Sequence, residues 1–144
     1  MLLFNNKTLT VQVVNKLRLA VFTWRGLTLS DIYKEGTIHT LETLRDYPGV
    51  NRIILNAKNQ KGVLHEDIEA SVKSTVDYVG IARGDYRMAV VIPKDLLAKT
   101  SYELYIQLLN KSLKKQFVVK QFGNVRSGLL WLIKARAFSL FEKW

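Results

Sequence analysis

The apolar residues of this chain follow a two-residue repeat in some stretches and a helical repeat in others, which predicts strands and helices in succession. Residues 8–15 and 17–24 are rich in β-branched and aromatic side chains with partial alternation. They are predicted to form an antiparallel hairpin with a tight turn at Asn15-Lys16. Three further short apolar runs bounded by turn residues predict buried strands over 50–56, 86–92 and 117–119.

The stretches between these strands carry apolar residues at helical spacing. The first helix is predicted to begin at Ser30-Asp31, where a short oxygen side chain can cap free amides. Gly36 weakens this helix by about 1 kcal/mol relative to Ala. Its expected apolar face consists of Ile32, Ile38, Leu41 and Leu44.

Apolar residues at helical spacing predict three more helices. The second begins at His65, and its expected apolar face is Ile68, Val72, Thr75, Val76 and Val79. In the third, the corresponding face is Tyr102, Tyr105, Ile106 and Leu109. The last helix opens at Gly123-Asn124 and presents Leu129, Leu132, Ile133, Ala137 and Leu140.

The predicted element order is therefore β-β-α-β-α-β-α-β-α. Strands that alternate with helices predict a mostly parallel sheet backed by helices, to which the leading hairpin adds an antiparallel part. The chain has 144 residues, without an internal repeat or a linker. We therefore expect a single α/β domain over residues 1–144.

Composition narrows the classes of function. The chain is 48% hydrophobic and 24% charged, as globular proteins are. It contains no cysteine, which excludes disulfides, thiolate metal sites and a cysteine nucleophile. The apolar run at residues 1–4 is too short for the core of a signal peptide, and no stretch approaches the roughly 20 apolar residues that span a bilayer. We expect a cytoplasmic protein.

The chain is strongly basic, with a formal net charge of +10. Such a charge attracts nucleic acid, anionic lipid or an acidic partner. The lysines and arginines are nevertheless spread along the whole chain, and none of their runs exceeds two residues. This distribution is more typical of a solvated basic surface, so nucleic-acid binding is kept only as an alternative.

Four segments, taken in their order and spacing, resemble a known family. They read Arg-Ile-Ile-Leu-Asn at 52–56, Tyr-Arg-Met-Ala-Val-Val at 86–91, Phe-Val-Val-Lys-Gln-Phe at 117–122 and Val-Arg-Ser-Gly-Leu-Leu-Trp-Leu at 125–132. Over roughly residues 8–133 the chain resembles the STAS-like family named after the bacterial sporulation anti-sigma-factor antagonist. The resemblance implies a STAS-like fold, with the helix over 124–144 extending beyond the family core. It also implies a non-enzymatic regulatory or scaffold role in binding a protein partner.

One segment departs from that family. The phosphorylated antagonists carry an Asp-Ser-Ser-Gly-like loop after the central strand, and a partner kinase phosphorylates its serine. Residues 62–67 read Gly-Val-Leu-His-Glu-Asp here and offer no hydroxyl, while Ser71 lies a full turn inside the predicted helix. The phosphoserine switch is therefore not expected. Acidic residues in a first helical turn have an ordinary explanation in the helix dipole.

Candidate catalytic residues are few. His65 and Glu69 have a spacing that could place two metal ligands on one helix face, but no third ligand is evident. Neither a Gly-rich phosphate loop nor a Gly-x-Ser-x-Gly nucleophile elbow is present. Arg83-Gly84-Asp85 is interpreted as a turn. We expect neither an enzyme nor a cofactor.

Two surfaces are the candidates for binding. The first is the loop predicted beyond the central strand, because open α/β sheets tend to bind ligands at the carboxyl ends of their strands. An anion, a peptide or another small ligand could bind there to Asn56, Lys58, Asn59, Lys61, His65 and Glu66.

The second surface is on the last helix, where four aromatic residues lie partly outside the core face: Trp131, Phe138, Phe141 and Trp144. Three interpretations stay open, namely a homodimer interface, contact with an anionic membrane, and packing against the protein's own domain. As a further alternative, the protein could carry a small apolar or lipid-like ligand between its helices and sheet.

Overall fold

The computed structural model describes the backbone of residues 1–82, 85–113 and 117–142, and the side chains of 1–79, 85–113 and 117–134. The strands are β1 (Leu2–Asn5), β2 (Leu9–Val14), β3 (Leu19–Leu27), β4 (Arg52–Lys61), β5 (Tyr86–Val91) and β6 (Phe117–Phe122). The helices are α1 (Ser30–Asp46), α2 (His65–Ala82), α3 (Leu96–Ser112) and α4 (Val125–Glu142). Of the turn predicted at Arg83-Gly84-Asp85, the first two residues lie outside these ranges.

The six strands form one mixed sheet in the sequential order β1-β2-β3-β4-β5-β6. Strands β1, β2 and β3 are antiparallel neighbours, and β3 to β6 are parallel to one another. The predicted α/β class and mostly parallel sheet are confirmed. Strand β1 was not predicted, because it has only four residues and its sequence, Leu-Leu-Phe-Asn, does not alternate between apolar and polar. Its pairing with β2 shifts register between Leu2 and Phe4.

The helices form two layers around this sheet. Parallel crossovers are right-handed in nearly all proteins, so strands added one beside the next carry their helices on the same face. Accordingly, α1, α2 and α3 share one core with that face of the sheet, which includes Phe22, Ile53, Ile68, Tyr102 and Leu109. Helix α4 covers the opposite face, where Leu132 packs with Leu19, Ile54, Ala89 and Val91.

Helix α1 buries only part of the face that its sequence predicts: Leu44 is buried as expected and Leu41 is partly buried. Ile32 and Ile38 are exposed, whereas Tyr33, Gly36, Thr43 and Leu44 are buried. The buried indole of Trp24 on β3 lies against Gly36. The glycine of α1 thus faces the large indole ring of Trp24, and Ile32 and Ile38 face outward.

The start of α1 also differs from expectation. No side chain caps the helix, and Ser30 lies inside its first turn with a positive φ of 36°. The amide of Ser30 instead donates to the carboxylate of Asp67 on α2 at 3.1 Å. The first turns of α1 and α2 are thereby held side by side. The expected faces of α2 and α3 are confirmed by the burial of Ile68, Val72, Thr75, Val79, Tyr102, Tyr105 and Leu109.

Helix α4 begins where predicted, since the Asn124 side chain accepts the Ser127 amide at 2.8 Å. Gly128 lies over Ala89, where a Cβ would approach the alanine methyl to 2.9 Å, so the helix sits close to β5. Leu132 is buried as expected, but Ile133 is exposed, which contradicts its predicted place in the core. The side chains of Ala137 and Leu140 lie outside the described residues.

Candidate functional site at the carboxyl edge of the sheet

The loop predicted beyond the central strand, after residue 56, is strand as far as Lys61. Strand β4 continues to Lys61 and stays paired with β3 up to Leu27, whereas β5 pairs with β4 only as far as Asn56. Residues 25–27 of β3 and 57–61 of β4 thus form a two-stranded arm beyond the last pairs of β2 and β5. Polar residues are compatible with this strand because it is buried on only one face.

Helix α3 anchors the buried side of the arm. Gln60 is fully buried, and its side-chain amide donates to Thr28 Oγ1 at 2.8 Å while its carbonyl accepts from the Tyr102 hydroxyl at 2.5 Å. Ser101 Oγ also donates to the carbonyl of Val63 at 2.7 Å, just beyond the arm. Buried polar groups that are fully hydrogen-bonded fix one arrangement, because breaking a bond leaves a group without a partner.

A β-bulge sets the direction of the side chains on the arm. Thr23 pairs with Asn56 and Arg25 with Asn59, so between these pairs one residue of β3 faces two of β4. The Asn56 side chain accepts the Lys58 amide at 3.3 Å and thus shapes the bulge. Bulges commonly re-aim the residues that follow them. Beyond this bulge Gln60 turns into the core, while its neighbours Asn59 and Lys61 are exposed on the other face.

A cleft of about 360 Å³ lies between the arm and the connection that follows β5. The Lys94 amide donates to the carbonyl of Lys58 at 3.2 Å, which holds the two walls together. The cleft is lined by Arg25, Gly26, Lys58, Asn59, Gln60, Lys61, Lys94 and Asp95. Its volume falls at the lower end of the range of small-molecule pockets. We call it the basic cleft.

The charges around the basic cleft are unbalanced. Asp95 is its single carboxylate, and it caps α3 by accepting the Ala98 amide at 3.1 Å. Arg25 is engaged elsewhere, because its guanidinium donates to Thr10, Asn5 and Asn6. Within the described part of the chain, no carboxylate lies within 4 Å of the ammonium groups of Lys58, Lys61 or Lys94. These three lysines are available to neutralise an anion.

The structure brings together half of the binding residues that the sequence proposes. Lys58, Asn59 and Lys61 line the basic cleft, and Asn56 lies behind it in the bulge. His65 and Glu66 are exposed in the first turn of α2 and do not line it. Lys94 and Asp95 were missed. The sequence could have indicated them, because they follow Pro93 directly and Pro93 marks the end of the neighbouring strand β5.

A much smaller cavity lies between α1, α2 and the sheet. Its volume is about 40 Å³, and its lining combines aromatic rings with hydroxyl groups, including Trp24, Tyr33, Tyr78 and Tyr105. This volume has room for only a few water molecules, whereas pockets for drug-sized ligands start at about 300 Å³. Burial raises the pKa of Tyr33, Tyr102 and Tyr105, and it raises the pKa of Tyr78 to about 12.

A separate pocket beside the β1–β2 turn is lined in part by His39. His39 stacks on Phe4 with ring centroids 4.2 Å apart, and its Nδ1 is 3.9 Å from the carboxylate of Glu42. Glu35, one helical turn earlier, lines the same pocket of about 290 Å³ together with Lys7. Among the described residues, no three acidic or histidine side chains are grouped as a metal site requires.

The aromatic surface proposed on the last helix can be assessed only at Trp131. This side chain is half-buried against its own sheet, with its ring 5.6 Å from that of Phe122 and with Arg87 and Lys120 about 6 Å from its centre. Phe138, Phe141 and Trp144 have side chains outside the described residues, so dimer or membrane contact through them stays a prediction. None of the helices, over their described residues, combines the length and apolarity needed to cross a bilayer.

Comparison with known proteins gave no matching family model, no similar curated protein and no similar solved structure. The resemblance to the STAS-like family therefore rests on the sequence segments alone.

Proposed function

We propose that this chain is a non-enzymatic regulatory or scaffold domain of the STAS-like type, located in the cytoplasm, which binds an acidic segment of a protein partner in the basic cleft. The observation that carries this proposal is the convergence of Lys58, Lys61 and Lys94 on one cleft with a single carboxylate, Asp95. A partner's aspartate or glutamate side chains would supply the missing negative charge. Such pairing favours rapid and selective association.

The cleft has the rigidity that such a site needs. The arm is fixed from behind by the Gln60–Tyr102 hydrogen bond, and its two walls are joined by the Lys94–Lys58 main-chain bond. A preformed site loses little conformational entropy when a ligand binds. The side chains that need to become ordered are those of the half-buried Lys58 and the exposed Lys61 and Lys94.

The proposal also agrees with the absence of a phosphorylatable serine after the central strand. In the phosphorylated antagonists the switching charge is placed on the domain itself, whereas residues 62–67 of this chain offer no hydroxyl. A basic cleft reverses the arrangement, because the negative charge comes with the partner. Regulation would then depend on the partner's concentration or modification.

A titration with a short polyglutamate peptide tests the proposal, with polyglutamine of equal length as the uncharged control. We expect amide NMR shifts concentrated at residues 58–61 and 94–95. The triple variant Lys58→Ser, Lys61→Ser, Lys94→Ser should lose about tenfold or more in affinity, which corresponds to about 1.4 kcal/mol. The matched control changes three exposed lysines elsewhere: Lys73, Lys111 and Lys134, each to Ser. Equal loss in both variants would show that only net charge matters and would refute the cleft.

The alternative functions receive less support from the geometry. An apolar ligand would have to separate α1 from the sheet, because the cavity between them has a volume of only about 40 Å³. Nucleic acid would be bound through phosphates, and its affinity would fall steeply with salt. A gel shift that is absent, or that does not depend on salt, would exclude nucleic-acid binding of this kind.

A further inference from the structure

Exposed leucines gather at the end of the arm. Leu27 and Leu29 are 59% and 41% exposed, and both lie beside Gly62, where a Cβ would meet their side chains at 2.5 and 3.3 Å. Leu96 and Leu97, which are 77% and 50% exposed, open α3. We call these four residues the leucine tip.

The two pairs of leucines belong to one end of the molecule. The Ser101–Val63 hydrogen bond holds the second turn of α3 beside the residue that follows Gly62. Leu97 precedes Ser101 by one helical turn, which places it toward the end of the arm. Large apolar side chains grouped in this way on a surface mark an interaction site more often than scattered ones do.

Opposite charges flank the leucine tip. Lys61 is exposed on the face of β4 opposite to the buried Gln60 side chain, and it also lines the basic cleft. On the helical side, exposed Asp31 and Glu66 occupy the first turns of α1 and α2. The hydrogen bond from the Ser30 amide to Asp67 keeps those two turns adjacent. The surface is therefore basic on one side of its apolar centre and acidic on the other.

We propose that the leucine tip pairs with the same surface of a second copy of this chain, so that Lys58 and Lys61 of each copy face Asp31 and Glu66 of the other. In a two-fold interface the same surface of both copies is used, and residue i of one copy contacts residue j of the other while j contacts i. The basic side of each copy can therefore contact the acidic side of the other. This proposal rests on the proposed function. It identifies the acidic partner segment as the first turns of α1 and α2 in the second copy.

The charge pattern selects this occupant over two others. An anionic membrane would attract the lysines but repel Asp31 and Glu66, and a wholly acidic peptide would meet the same repulsion beyond the cleft. A second copy satisfies both signs of charge and covers the leucines. The net charge of +10 opposes association over longer distances, so we expect a reversible dimer.

Sedimentation velocity of the full chain over a range of concentrations should show the mass rising from 16.6 kDa toward twice that value. Leu27→Ser with Leu29→Ser should weaken the dimer about tenfold or more. Ile38→Ser with Leu130→Ser removes two apolar side chains of similar exposure elsewhere and should leave the dimer unchanged. Circular dichroism and a thermal melt verify that each variant is folded.

A charge exchange gives the sharper test. Lys61→Glu alone and Glu66→Lys alone should each weaken self-association, since like charges then face each other across the two-fold axis. Mixed in equal amounts, the two variants should form a heterodimer in which every pair is again opposite in sign. A mixture that stays monomeric while the unmodified chain dimerises would overturn the proposal.

The remaining outcomes separate this inference from the proposed function. A chain that stays monomeric at every concentration but binds polyglutamate at the cleft refutes the dimer and keeps the function. A monomer that instead co-sediments with phosphatidylserine vesicles through the leucines identifies a membrane as the occupant. A dimer that survives the leucine changes but is lost on Phe138→Ser with Phe141→Ser lies on α4. Each of these results overturns the dimer through the leucine tip.

Discussion

The indole ring of Trp24 lies directly against the backbone of Gly36, so close that a Cβ at position 36 would overlap the ring. Trp24 is buried on β3 and also stacks on Tyr33, with ring centroids 5.3 Å apart. This contact fixes both the distance of α1 from the sheet and the helix face that turns inward.

Gly36→Ala should therefore destabilise the protein even though alanine is the better helix former. The gain in helix propensity is about 1 kcal/mol, and overpacking a buried contact costs about 1–3 kcal/mol. Because the added Cβ would overlap the buried indole ring, the cost lies in the upper part of that range, and we expect a net loss of about 2 kcal/mol in the free energy of unfolding, measured by urea denaturation. Gly49→Ala is the matched control, because no atom lies within 4 Å of a Cβ at that position. Equal stability of the Gly36 variant and the unmodified protein would contradict the contact.

The hydrogen bond between Tyr102 and Gln60 should contribute measurably to stability. Tyr102→Phe leaves the buried side-chain carbonyl of Gln60 without its donor, which costs about 1–3 kcal/mol. Changing Gln60→Met as well removes the polar group that was left unpaired, so the second change should cost less in the Tyr102→Phe background than alone. A double-mutant cycle by urea denaturation measures this coupling. Additive effects would mean that the two side chains do not interact.

Alkaline pH should destabilise the fold through the buried tyrosines. Burial raises the pKa values of Tyr33, Tyr102 and Tyr105 above the ordinary value of 10.0. The unfolded chain releases these phenolic protons near pH 10 while the folded chain keeps them, so stability is full below pH 10 and falls above it. Each such tyrosine contributes a slope of about 1.4 kcal/mol per pH unit.

Urea unfolding between about pH 8 and pH 11 measures that slope. Tyr102→Phe should reduce the slope of stability against pH by the contribution of one tyrosine. This change identifies the part of the slope that is due to tyrosines, although lysines titrate in the same pH range. Phenolate absorbance of the folded protein should also lag behind that of six free tyrosines. A stability that does not change across pH 10 would contradict the burial of these hydroxyl groups.

Asp95 should affect stability and binding in opposite directions. Its carboxylate caps α3 through the Ala98 amide, and it is also the one negative charge in the basic cleft. Asp95→Ala should cost about 1 kcal/mol of stability through the lost cap, yet it should tighten polyglutamate binding. Asp95→Asn keeps a capping oxygen, so it should tighten binding with little loss of stability. Thermal melts and peptide titrations of the two variants distinguish the two roles, and weaker peptide binding by both would contradict the electrostatic account.

Elements with a regular apolar repeat were predictable from the sequence. The faces of α2 and α3 and the strands at β5 and β6 follow from their own residues, because a repeat of two or 3.6 residues is a local property. The polar run Lys58–Lys61 has no such repeat, and nothing within it indicates a strand. Its extended form depends on pairing with residues 25–27, more than 30 positions earlier in the chain.

The candidate site was predicted in part for the same reason. Lys58, Asn59 and Lys61 were identified because they follow a buried parallel strand, where ligands commonly bind. Lys94 joins them only because β5 lies beside β4 and its last residue pairs with Asn56. The sequence separation between these two walls is too large for any local pattern to show that they meet.

By itself, then, the sequence determined the α/β class, the order of the elements from residue 8 onward and the excess of positive charge. The tertiary structure alone decided which face α1 buries, how far β4 extends and which lysines share a cleft. The physical reason is that periodicity and turn residues act between neighbours in the chain. Contacts such as Trp24 with Gly36, and Leu27 with Lys61, form only when distant segments pack together.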